Sequence, residues 1–599
     1  MHCGGDMSLA DQSSDNARID PAFDVVGCFL GRARQFADRP WLHQPIDGRT
    51  RTISWGEAAH EVCCIASALR AMAFPAGSRI CISGRNTAHW ILADIAIMLA
   101  GYVPVGLFPG QSLDNTRFIL AHTDAAAIFI GPSEDLATTL AAVPASMHTI
   151  SLPYPTVPQM EQSWDQLVTQ HSPLLIENRP PPLVGEVAML LYTSGTSGRP
   201  KGVMLTHGNI AYTARMALAH VFKPNGKQRL LSYLPLAHAQ ERLTCEALSL
   251  LVGAEIHFLE KLESLSRTLV EVAPTFFTGG PQVYERMRGA ILDRVPPARL
   301  QRWLRVPLVG RGVAYALRRR LGLHRAALCV VGGAKAADDL INWFAELGVG
   351  VRQGYGSTEN CGYVACNLAG SERVGTVGRA LPGAELRIAV DGELQCRHSG
   401  TMYGYFGDPD GTAQALTADG YFRTGDIGIL DADGFLSIRG RLGDKLITPD
   451  GASLFPGDVE SAVTSHMIAQ MCLLSSERLK PTLVITLKPQ AQSQSRLEVE
   501  SNLTDVIAHA NAKLEVSARV DRILIAKALW MPAEGLVTPT MKIRRREIAR
   551  VYGPLAQQAA SRDRKIVWED ECAELDNCAI AGCGVSHPVR AHECHDSEE

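Results

Sequence analysis

The chain of 599 residues has a mass of 64.8 kDa, with 46% hydrophobic residues, 20% charged residues and a formal net charge of −4. This length is too great for a single hydrophobic core and predicts two or more domains. The composition is that of a soluble globular protein, and the small negative charge disfavours general nucleic-acid binding.

The N-terminal twenty residues are polar and lack the apolar segment of a secretory signal. We therefore predict that residues 1–20 are disordered and that the protein is cytoplasmic. The fifteen cysteines include no Cys-x-x-Cys pair, which agrees with a reducing compartment. The most apolar run, residues 89–108, contains Asp94 and two of its last five residues are Pro104 and Gly106. It predicts a buried helix followed by a strand, not a membrane span.

Helices and strands alternate through the next part of the chain. Apolar residues at helical spacing predict a helix from Trp55 to about Met72. The elements predicted after it are a strand at Arg79–Ser83, a helix at Ala88–Ala100, a strand at Val103–Leu107, a helix at Leu113–His122 and a strand at Ala125–Gly131. Such alternation is typical of a doubly wound α/β layer.

A segment rich in glycine and small hydroxyls lies between two apolar strands, predicted at Met189–Tyr192 and Gly202–Leu205. It reads TSGTSGRPK, from Thr193 to Lys201, and its residues allow backbone N–H groups to approach phosphate oxygens closely. A Walker loop leads from its lysine directly into a helix, whereas a strand follows Lys201. The segment therefore predicts a phosphate-binding loop of another class, and a plain glycine-serine linker is the alternative.

The complete string LLYTSGTSGRPKGVMLTH, residues 190–207, closely resembles the phosphate-binding signature of adenylate-forming enzymes. This superfamily contains acyl-CoA synthetases, luciferases and peptide-synthetase adenylation domains, and the chain resembles the long-chain fatty acyl-CoA synthetases over roughly residues 40–552. The resemblance implies an α/β fold. A large N-terminal AMP-binding domain (21–440) would combine doubly wound α/β subdomains with a β-rich subdomain, and a small mobile α+β C-terminal domain (441–555) would follow. The residues implied to bind ATP in the loop are Thr193, Ser194, Gly195, Thr196, Ser197, Gly198 and Lys201, with Thr196 also catalytic and a Mg²⁺ ligand.

Two segments after the loop are implied to contact the acyl substrate. They read LSYLPLAHAQER (231–242) and PTFFTGGPQVYER (274–286), and the resemblance assigns His238, Gly279 and Gln282 to the acyl chain. From the residues alone, His238 is better explained as a structural histidine beside a proline turn, and the resemblance makes a binding role an equal alternative. The basic, apolar region 296–323 predicts a solvated amphipathic helix, with contact to acyl chains or a membrane as the alternative.

Three later segments complete the nucleotide site by resemblance. LCVVGGAK (328–335) predicts a buried strand ending in two glycines, although Lys335 replaces the small residue or proline usual in the family. QGYGSTE (353–359) follows a strand predicted at Val349–Arg352, and YFRTGD (421–426) precedes a predicted hairpin. The implied roles are adenine contact for Gly333, Ala334, Tyr355 and Gly356, an α-phosphate bond for Thr358, a catalytic role and Mg²⁺ binding for Glu359, ribose binding for Asp426, and ribose or phosphate contact for Arg441.

The C-terminal part carries the implied hinge and a catalytic lysine. The family hinge is usually an aspartate or lysine, but the matching residue is Gly443, which accepts large changes of φ and ψ. Lys542, in LVTPTMKIRR, would neutralise charge as a carboxylate attacks the α-phosphate. The acidic Cys- and His-containing tail (556–599) matches no familiar zinc spacing and is predicted to be a flexible extension, with metal binding as the alternative.

Together these features predict an acid–thiol ligase that uses ATP, Mg²⁺ and coenzyme A. It would activate a medium- to long-chain fatty acid as acyl-AMP and transfer the acyl group to CoA. Two alternatives stay open: an acyl-AMP ligase that loads a carrier protein, and an inactive relative that binds nucleotide or lipid. The predicted partners are a small carboxylic acid and CoA, with no nucleic acid; a peripheral membrane contact is left open, and the sequence does not specify the oligomeric state.

Overall fold

A computed structural model of the chain describes residues 17–175, 179–193, 199–463, 465–531, 534–538 and 542–573. The chain divides into two compact units. The first contains the residues up to Gly443 together with Thr538–Lys542, and the second contains Asp444–Val537 and the residues from Ile543 onward.

The first unit contains most of the strands. In chain order they are β1 (Pro40–Ile46), β2 (Arg49–Ser54), β3 (Arg79–Ser83), β4 (Val103–Leu107), β5 (Ala127–Ile130), β6 (His148–Ser151), β7 (Gln162–Ser163), β8 (Val187–Thr193), β9 (Lys201–Thr206), β10 (Arg229–Ser232), β11 (Glu255–Phe258), β12 (Phe276–Gly279), β13 (Leu328–Val331), β14 (Val351–Tyr355), β15 (Ala365–Cys366), β16 (Arg379–Ala380), β17 (Glu385–Ile388), β18 (Glu393–Arg397), β19 (Gly404–Tyr405), β20 (Phe422–Leu430) and β21 (Leu436–Arg441).

The α-helices of the first unit cover or connect these strands. They are α1 (Val25–Gln35), α2 (Trp55–Ala71), α3 (Ala88–Ala100), α4 (Leu113–Thr123), α5 (Leu136–Ala142), α6 (Trp164–Gln170), α7 (His207–Met216), α8 (Ala239–Glu241), α9 (Leu248–Val252), α10 (Leu265–Val272), α11 (Pro281–Leu292), α12 (Pro297–Leu304), α13 (Val309–Arg320), α14 (Asp338–Glu346) and α15 (Pro409–Ala415). Two π-helical turns, Ala217–Val221 and Arg242–Ala247, follow α7 and α8.

An eight-stranded sheet with the order β19-β9-β8-β4-β3-β5-β6-β7 forms the centre of the first unit. The strands from β8 to β7 are parallel, and β9 and β19 are antiparallel additions. Helix α3 is buried along its whole length. Ser54 and Glu57 form a reciprocal capping box that starts α2 at the predicted position. The doubly wound α/β layer expected from the alternation of elements is confirmed.

Three smaller sheets complete the first unit, with the orders β10-β11-β1-β2, β12-β13-β14-β15-β16 and β17-β18-β20-β21. The strand predicted at Val349–Arg352 in fact starts at Val351 and continues to Tyr355, because Gly354 and Tyr355 pair antiparallel with β15. The predicted hairpin after YFRTGD is the β20–β21 pair, in which Asp426 lies opposite Arg441.

The second unit is a smaller α+β structure with its own hydrophobic core. Its strands and helices are β22 (Leu446–Ile447), β23 (Ser453–Leu454), α16 (Pro456–Ala462), β24 (Ile468–Ser476), β25 (Leu479–Leu487), α17 (Pro489–Gln492), α18 (Arg496–Asn511), β26 (Arg522–Ile525), α19 (Arg545–Ala560), β27 (Ile566–Trp568) and α20 (Glu569–Ala573). Strands β24-β25-β26-β27 form one sheet, so the described residues after 555 contribute the end of α19 and an edge strand. Among the described residues, no helix has both the length and the apolar character needed to cross a membrane.

Candidate active site

The predicted phosphate loop connects two antiparallel strands of the central sheet. Thr193, the last residue of β8, pairs with Lys201, the first residue of β9. Ser194, Gly195, Thr196, Ser197 and Gly198 lie outside the described residues. The Nζ of Lys201 is 4.6 Å from the centre of the Tyr405 ring and 3.9 Å from Oδ2 of Asp408. The lysine therefore lies over an aromatic face at the base of the loop, with a carboxylate as its charge partner.

Glu359 lies just after β14, in a short 3₁₀ turn that Ser357 and Asn360 cap reciprocally. Its Oε1 accepts a hydrogen bond of 3.1 Å from the Tyr405 hydroxyl. Its main-chain carbonyl accepts a 2.7 Å bond from the N–H of Met402. Burial, with a further contribution from Glu359, raises the pKa of Tyr405 above its usual range, so this hydroxyl remains a donor.

Tyr405 is a site residue that the sequence did not identify. Its hydroxyl bonds Glu359 while its ring lies against Lys201, so a single side chain connects two of the predicted ATP-binding residues. The pairing of β19 with β9 brings it there, since Tyr405 lies opposite Val203. It lies in the sequence MYGY (402–405), outside the segments from which site residues were predicted.

Asp426 is a buried carboxylate held by two side chains. Its Oδ1 lies 3.0 Å from Nε of Arg441, and its Oδ2 accepts a hydrogen bond from the Tyr355 hydroxyl. Burial raises the pKa of Asp426, and Glu359 adds to this effect, whereas Arg441, Tyr355 and Lys542 oppose it. The structure thus brings together Tyr355, Asp426 and Arg441, which the sequence assigned to adenine, ribose and phosphate or ribose.

Lys542 belongs to the first unit and lies within electrostatic reach of both carboxylates. Partial desolvation and then Arg441 lower the pKa of its ammonium, while Asp426 and Glu359 act in the opposite direction. Gly333 adopts φ +77°, and a Cβ added there would lie 3.9 Å from Cε of Lys542. The exposed loop of Gly333 and Ala334 therefore lies close to the lysine.

Gly356 has no room for a side chain. A Cβ at this position would lie 2.5 Å from the backbone of Gly362, which explains a glycine between Tyr355 and the turn that begins at Thr358. The partly buried Thr358 precedes Glu359 directly, so both side chains project from one turn at the end of β14.

The three residues assigned to the acyl chain differ in environment. His238 caps α8, and burial, followed by the charge of Lys542, lowers its pKa to about 4, so its imidazole is neutral at pH 7. A Cβ on Gly279 would lie 2.5 Å from the Tyr233 hydroxyl, which requires glycine at the end of β12. Gln282 is exposed near the start of α11. Among these three, His238 is the residue whose pKa is affected by Lys542, one of the residues predicted to act on ATP.

The donor set suits a magnesium ion bound with phosphate. Mg²⁺ takes one or two carboxylates together with phosphate oxygens and retained waters. Glu359 offers such a carboxylate: it is only partly buried, and the Tyr405 hydroxyl orients one of its oxygens. The other predicted ligand, Thr196, lies outside the described residues.

Two family models match the chain, one in each of its two parts. The model of the AMP-binding enzyme family matches residues 29–406, and that of the AMP-binding enzyme C-terminal domain matches residues 443–561. The chain belongs to the AMP-binding enzyme family. The resemblance to adenylate-forming enzymes is thereby confirmed.

Characterised relatives include long-chain fatty acyl-CoA ligases. The chain is 28% identical to the long-chain-fatty-acid–CoA ligase FadD15 of Mycobacterium bovis, over 88% of this chain and 96% of the relative. It is 27% identical to the long-chain-fatty-acid–CoA ligase ACSBG2 of Rattus norvegicus, over 82% of this chain and 81% of the relative.

Solved structures share the fold at lower identity. The anthranilate CoA ligase AuaEII in complex with anthranoyl-AMP superposes with a TM-score of 0.74 at 20% identity, covering 91% of this chain and 99% of that one. The A-PCP didomain of carboxylic acid reductase from Segniliparus rugosus in complex with AMP gives a TM-score of 0.76 at 20% identity, covering 92% and 85%.

Proposed function

We propose that the protein is a fatty acid–CoA ligase that forms acyl-AMP from ATP and a medium- to long-chain acid and then transfers the acyl group to CoA. The observation that carries the proposal is the electrostatic grouping of Glu359, Asp426, Arg441 and Lys542. Two carboxylates and two cations in one place suit a magnesium–nucleotide complex and the charge that develops at its α-phosphate.

In the first step, a carboxylate oxygen of the acid attacks the α-phosphorus of ATP. The bond from the α-phosphorus to the oxygen bridging to the β-phosphate breaks, and pyrophosphate leaves. Lys542 offsets the negative charge on the attacking and bridging oxygens, and Lys201 with the loop from Thr193 binds the phosphates. Magnesium held by Glu359 would supply further charge neutralisation. Positioning and charge stabilisation account for such a reaction without a nucleophilic side chain.

Asp426 and its neighbours would hold the nucleoside. The Asp426 carboxylate offers two acceptor oxygens, which suit the two ribose hydroxyls. Arg441 and the Tyr355 hydroxyl hold it in a fixed orientation. Adenine would lie against Tyr355 and the Gly333–Ala334 backbone, where the absence of a Cβ on Gly333 permits close approach.

In the second step, the sulfur of CoA attacks the acyl carbonyl carbon, AMP leaves, and the thiol proton passes to solvent. We place the hinge for the conformational change between the two steps at Gly443, the last residue of the first unit before the chain enters the second. His238, Gly279 and Gln282 would contact the acyl part, and the neutral His238 ring avoids placing a fixed charge beside an apolar chain.

The choice of a fatty acid is supported by the similarity to FadD15 and ACSBG2, which are long-chain-fatty-acid–CoA ligases. A carrier-protein acceptor is the rival, and it is distinguished by the product. With acid, ATP and CoA, our proposal expects acyl-CoA; a carrier-dependent enzyme would release only adenylate, which hydroxylamine traps as a hydroxamate. An inactive relative would release no pyrophosphate with any acid tested.

We also propose that a basic surface meets anionic lipid, from which the acid would be taken. Residues 294–337 contain nine arginines and one lysine and no acidic residue. Around the turn from α12 into α13, Val306, Leu308 and Val309 are exposed, Leu308 to 77%. Exposed apolar side chains among arginines suit binding to a negatively charged membrane surface, because the arginines attract anionic headgroups and the apolar side chains enter the interface.

The central test separates the two half-reactions in the variant Lys542→Ala. Adenylate formation, measured as pyrophosphate release, should fall by about 100-fold or more, as expected when a donor to developing charge is removed. Thioester formation from supplied acyl-AMP should be nearly unchanged. Lys513→Ala, which removes an exposed lysine of the second unit, serves as the matched control. Equal losses in both half-reactions would contradict the role of Lys542.

A further inference from the structure

A second group of polar side chains lies on the small sheet β10-β11-β1-β2, apart from the residues assigned to ATP. Glu255 and His257 are two residues apart on β11 and therefore project from the same face of the sheet. His43 of β1 pairs in parallel register with His257, so its side chain projects from that face as well. Strand geometry alone thus places two imidazoles and a carboxylate side by side.

The side chains meet at one oxygen of Glu255. Its Oε2 lies 3.4 Å from Nε2 of His43 and 4.0 Å from Nε2 of His257. The other oxygen, Oε1, is 2.6 Å from Nζ of Lys227. One donor atom from each of the three residues can be chosen such that all lie within 4.8 Å of one another. Lys227 therefore neutralises one carboxylate oxygen, and the second faces both imidazoles.

Both Nε2 atoms are buried and make no hydrogen bond within the described part of the chain. The opposite nitrogen of His43, Nδ1, lies 3.3 Å from the hydroxyl of Thr52 on the neighbouring strand β2. When the hydroxyl accepts a hydrogen bond from Nδ1–H, Nε2 carries the free lone pair, which is the arrangement found around metal-bound histidines. A buried polar atom without a hydrogen bond is costly. Two such nitrogens that face the same oxygen of Glu255 therefore indicate a ligand-binding site.

We propose that His43, Glu255 and His257 form a zinc site that connects β1 to β11. Neutral imidazole and carboxylate are ligands that Zn²⁺ accepts, with water in a fourth position. Ligands at about 2.0 to 2.1 Å from a tetrahedral ion are separated by about 3.3 to 3.4 Å. The His43–Glu255 distance of 3.4 Å already has this value, and the His257–Glu255 distance of 4.0 Å must shorten by about 0.6 Å.

The imidazole rings must also rotate when the ion binds. They are stacked with centroids 4.2 Å apart and planes 5° from parallel, so their lone pairs point side by side. Modest changes of the side-chain torsions make them converge on one ion. Since His43 and His257 lie on adjacent strands, the bound metal fixes the β1–β2 hairpin to the rest of its sheet.

The test uses the full-length chain, stripped of metal with EDTA, and titrates it with Co²⁺ as a spectroscopic substitute for Zn²⁺. We expect d–d absorption from a four-coordinate site without the thiolate-to-cobalt charge-transfer band that cysteine ligands give. The double variant His43→Asn/His257→Asn should bind one fewer Co²⁺ per chain and lose this absorption. Zn²⁺ should raise the unfolding temperature of the wild type but not of the variant.

Two further variants make the result decisive. His148→Asn is the matched control, because Nδ1 of His148 lies 3.2 Å from Oε1 of Glu161 on an exposed surface, and among the described residues this pair belongs to no group of three possible metal ligands. It should keep all of the Co²⁺ absorption. Glu255→Gln keeps the shape of the side chain and serves if the double variant does not fold. Unchanged cobalt stoichiometry and spectrum in Glu255→Gln, or wild-type absorption from thiolate ligands alone, would overturn the proposal.

Discussion

Individual side chains of the candidate site act through environments that no motif specifies. Glu359 and Asp426 were identified from short sequence segments, yet the side chains that contact them come from distant strands. Burial and Glu359 raise the pKa of Asp426, whereas Arg441 and Tyr355 oppose the rise. The residue type and the motif were predictable from the sequence, but the balance of these opposing effects required the packing.

Tyr405 allows the environment of Glu359 to be tested directly. Tyr405→Phe keeps the ring beneath Lys201 but removes the hydroxyl that donates to Glu359. A hydrogen bond to a charged group contributes roughly 1.5 kcal/mol or more, so we expect pyrophosphate release to slow by about tenfold. The matched control is Tyr212→Phe, which removes a hydroxyl bonded to the carbonyl of Gly383. Equal rates in the two variants would show that the Tyr405 hydroxyl does not support Glu359.

Glu241 makes the stability of the first unit depend on pH. Its carboxyl is fully buried in α8, and burial raises its pKa to about 7, above the ordinary value of 4.5. Because the folded state binds the proton more tightly, the stabilisation is complete below about pH 4.5 and is lost as the pH rises through about 7. The difference amounts to about 3 kcal/mol.

In Glu241→Gln this contribution no longer varies with pH. We therefore expect the urea midpoint of the wild type, relative to that of the variant, to fall between pH 4.5 and pH 8. Glu346→Gln, at an exposed position of α14, is the control and should follow the wild type at every pH. A difference between wild type and Glu241→Gln that stays constant over this range would disprove the raised pKa.

At the scale of the elements, local periodicity predicted the interior of the central sheet well. The ranges of β3, α3 and β4 agree with the prediction residue for residue. The strand before Glu359 was wrong by several residues, because its extension to Tyr355 depends on pairing with β15, which lies beyond the intervening turn. The same limit explains Tyr405 and the His43–His257 pair: cross-strand neighbours far apart in sequence leave no local pattern.

The α12–α13 pair gives an element-scale prediction about membranes. Vesicles containing anionic lipid should bind the protein in a salt-dependent manner, and vesicles of neutral lipid should bind it weakly. Arg302→Glu/Arg305→Glu should weaken binding by at least about tenfold, since each arginine near an anionic surface contributes on the order of 1 kcal/mol. Arg478→Glu/Lys513→Glu, an equal charge change at exposed positions of the second unit, should have a much smaller effect.

Leu308 separates the apolar contribution from the charge. It adopts φ +67° and ψ −52°, the strained conformation at the centre of a γ-turn. Because the side chain of Leu308 is 77% exposed, Leu308→Asn should change the unfolding temperature little while it reduces vesicle binding. Cosedimentation with the vesicles and thermal unfolding measure the two effects independently. Unchanged cosedimentation would show that the turn between α12 and α13 does not contact the lipid surface.

On the scale of the whole molecule, the division into two units falls after Gly443, inside the 3₁₀ turn Leu442–Asp444. The sequence identified this residue only by its alignment with a family hinge. If the chain must change direction here between acyl-AMP formation and thiol attack, the torsion angles of one residue determine whether the second step can occur. Glycine has the widest range of φ, and proline has a φ fixed near −65°.

Gly443→Pro should therefore affect the two half-reactions unequally. The 3₁₀ turn has φ of about −50 to −70°, which proline matches, so we expect pyrophosphate release to change by less than about threefold. Thioester formation should fall much further, because the restricted residue opposes a second conformation. Gly443→Ala is the control: alanine lacks only part of glycine's freedom and should retain most of the thioester rate. A Gly443→Pro enzyme with normal acyl-CoA production would show that the change between steps occurs elsewhere in the chain.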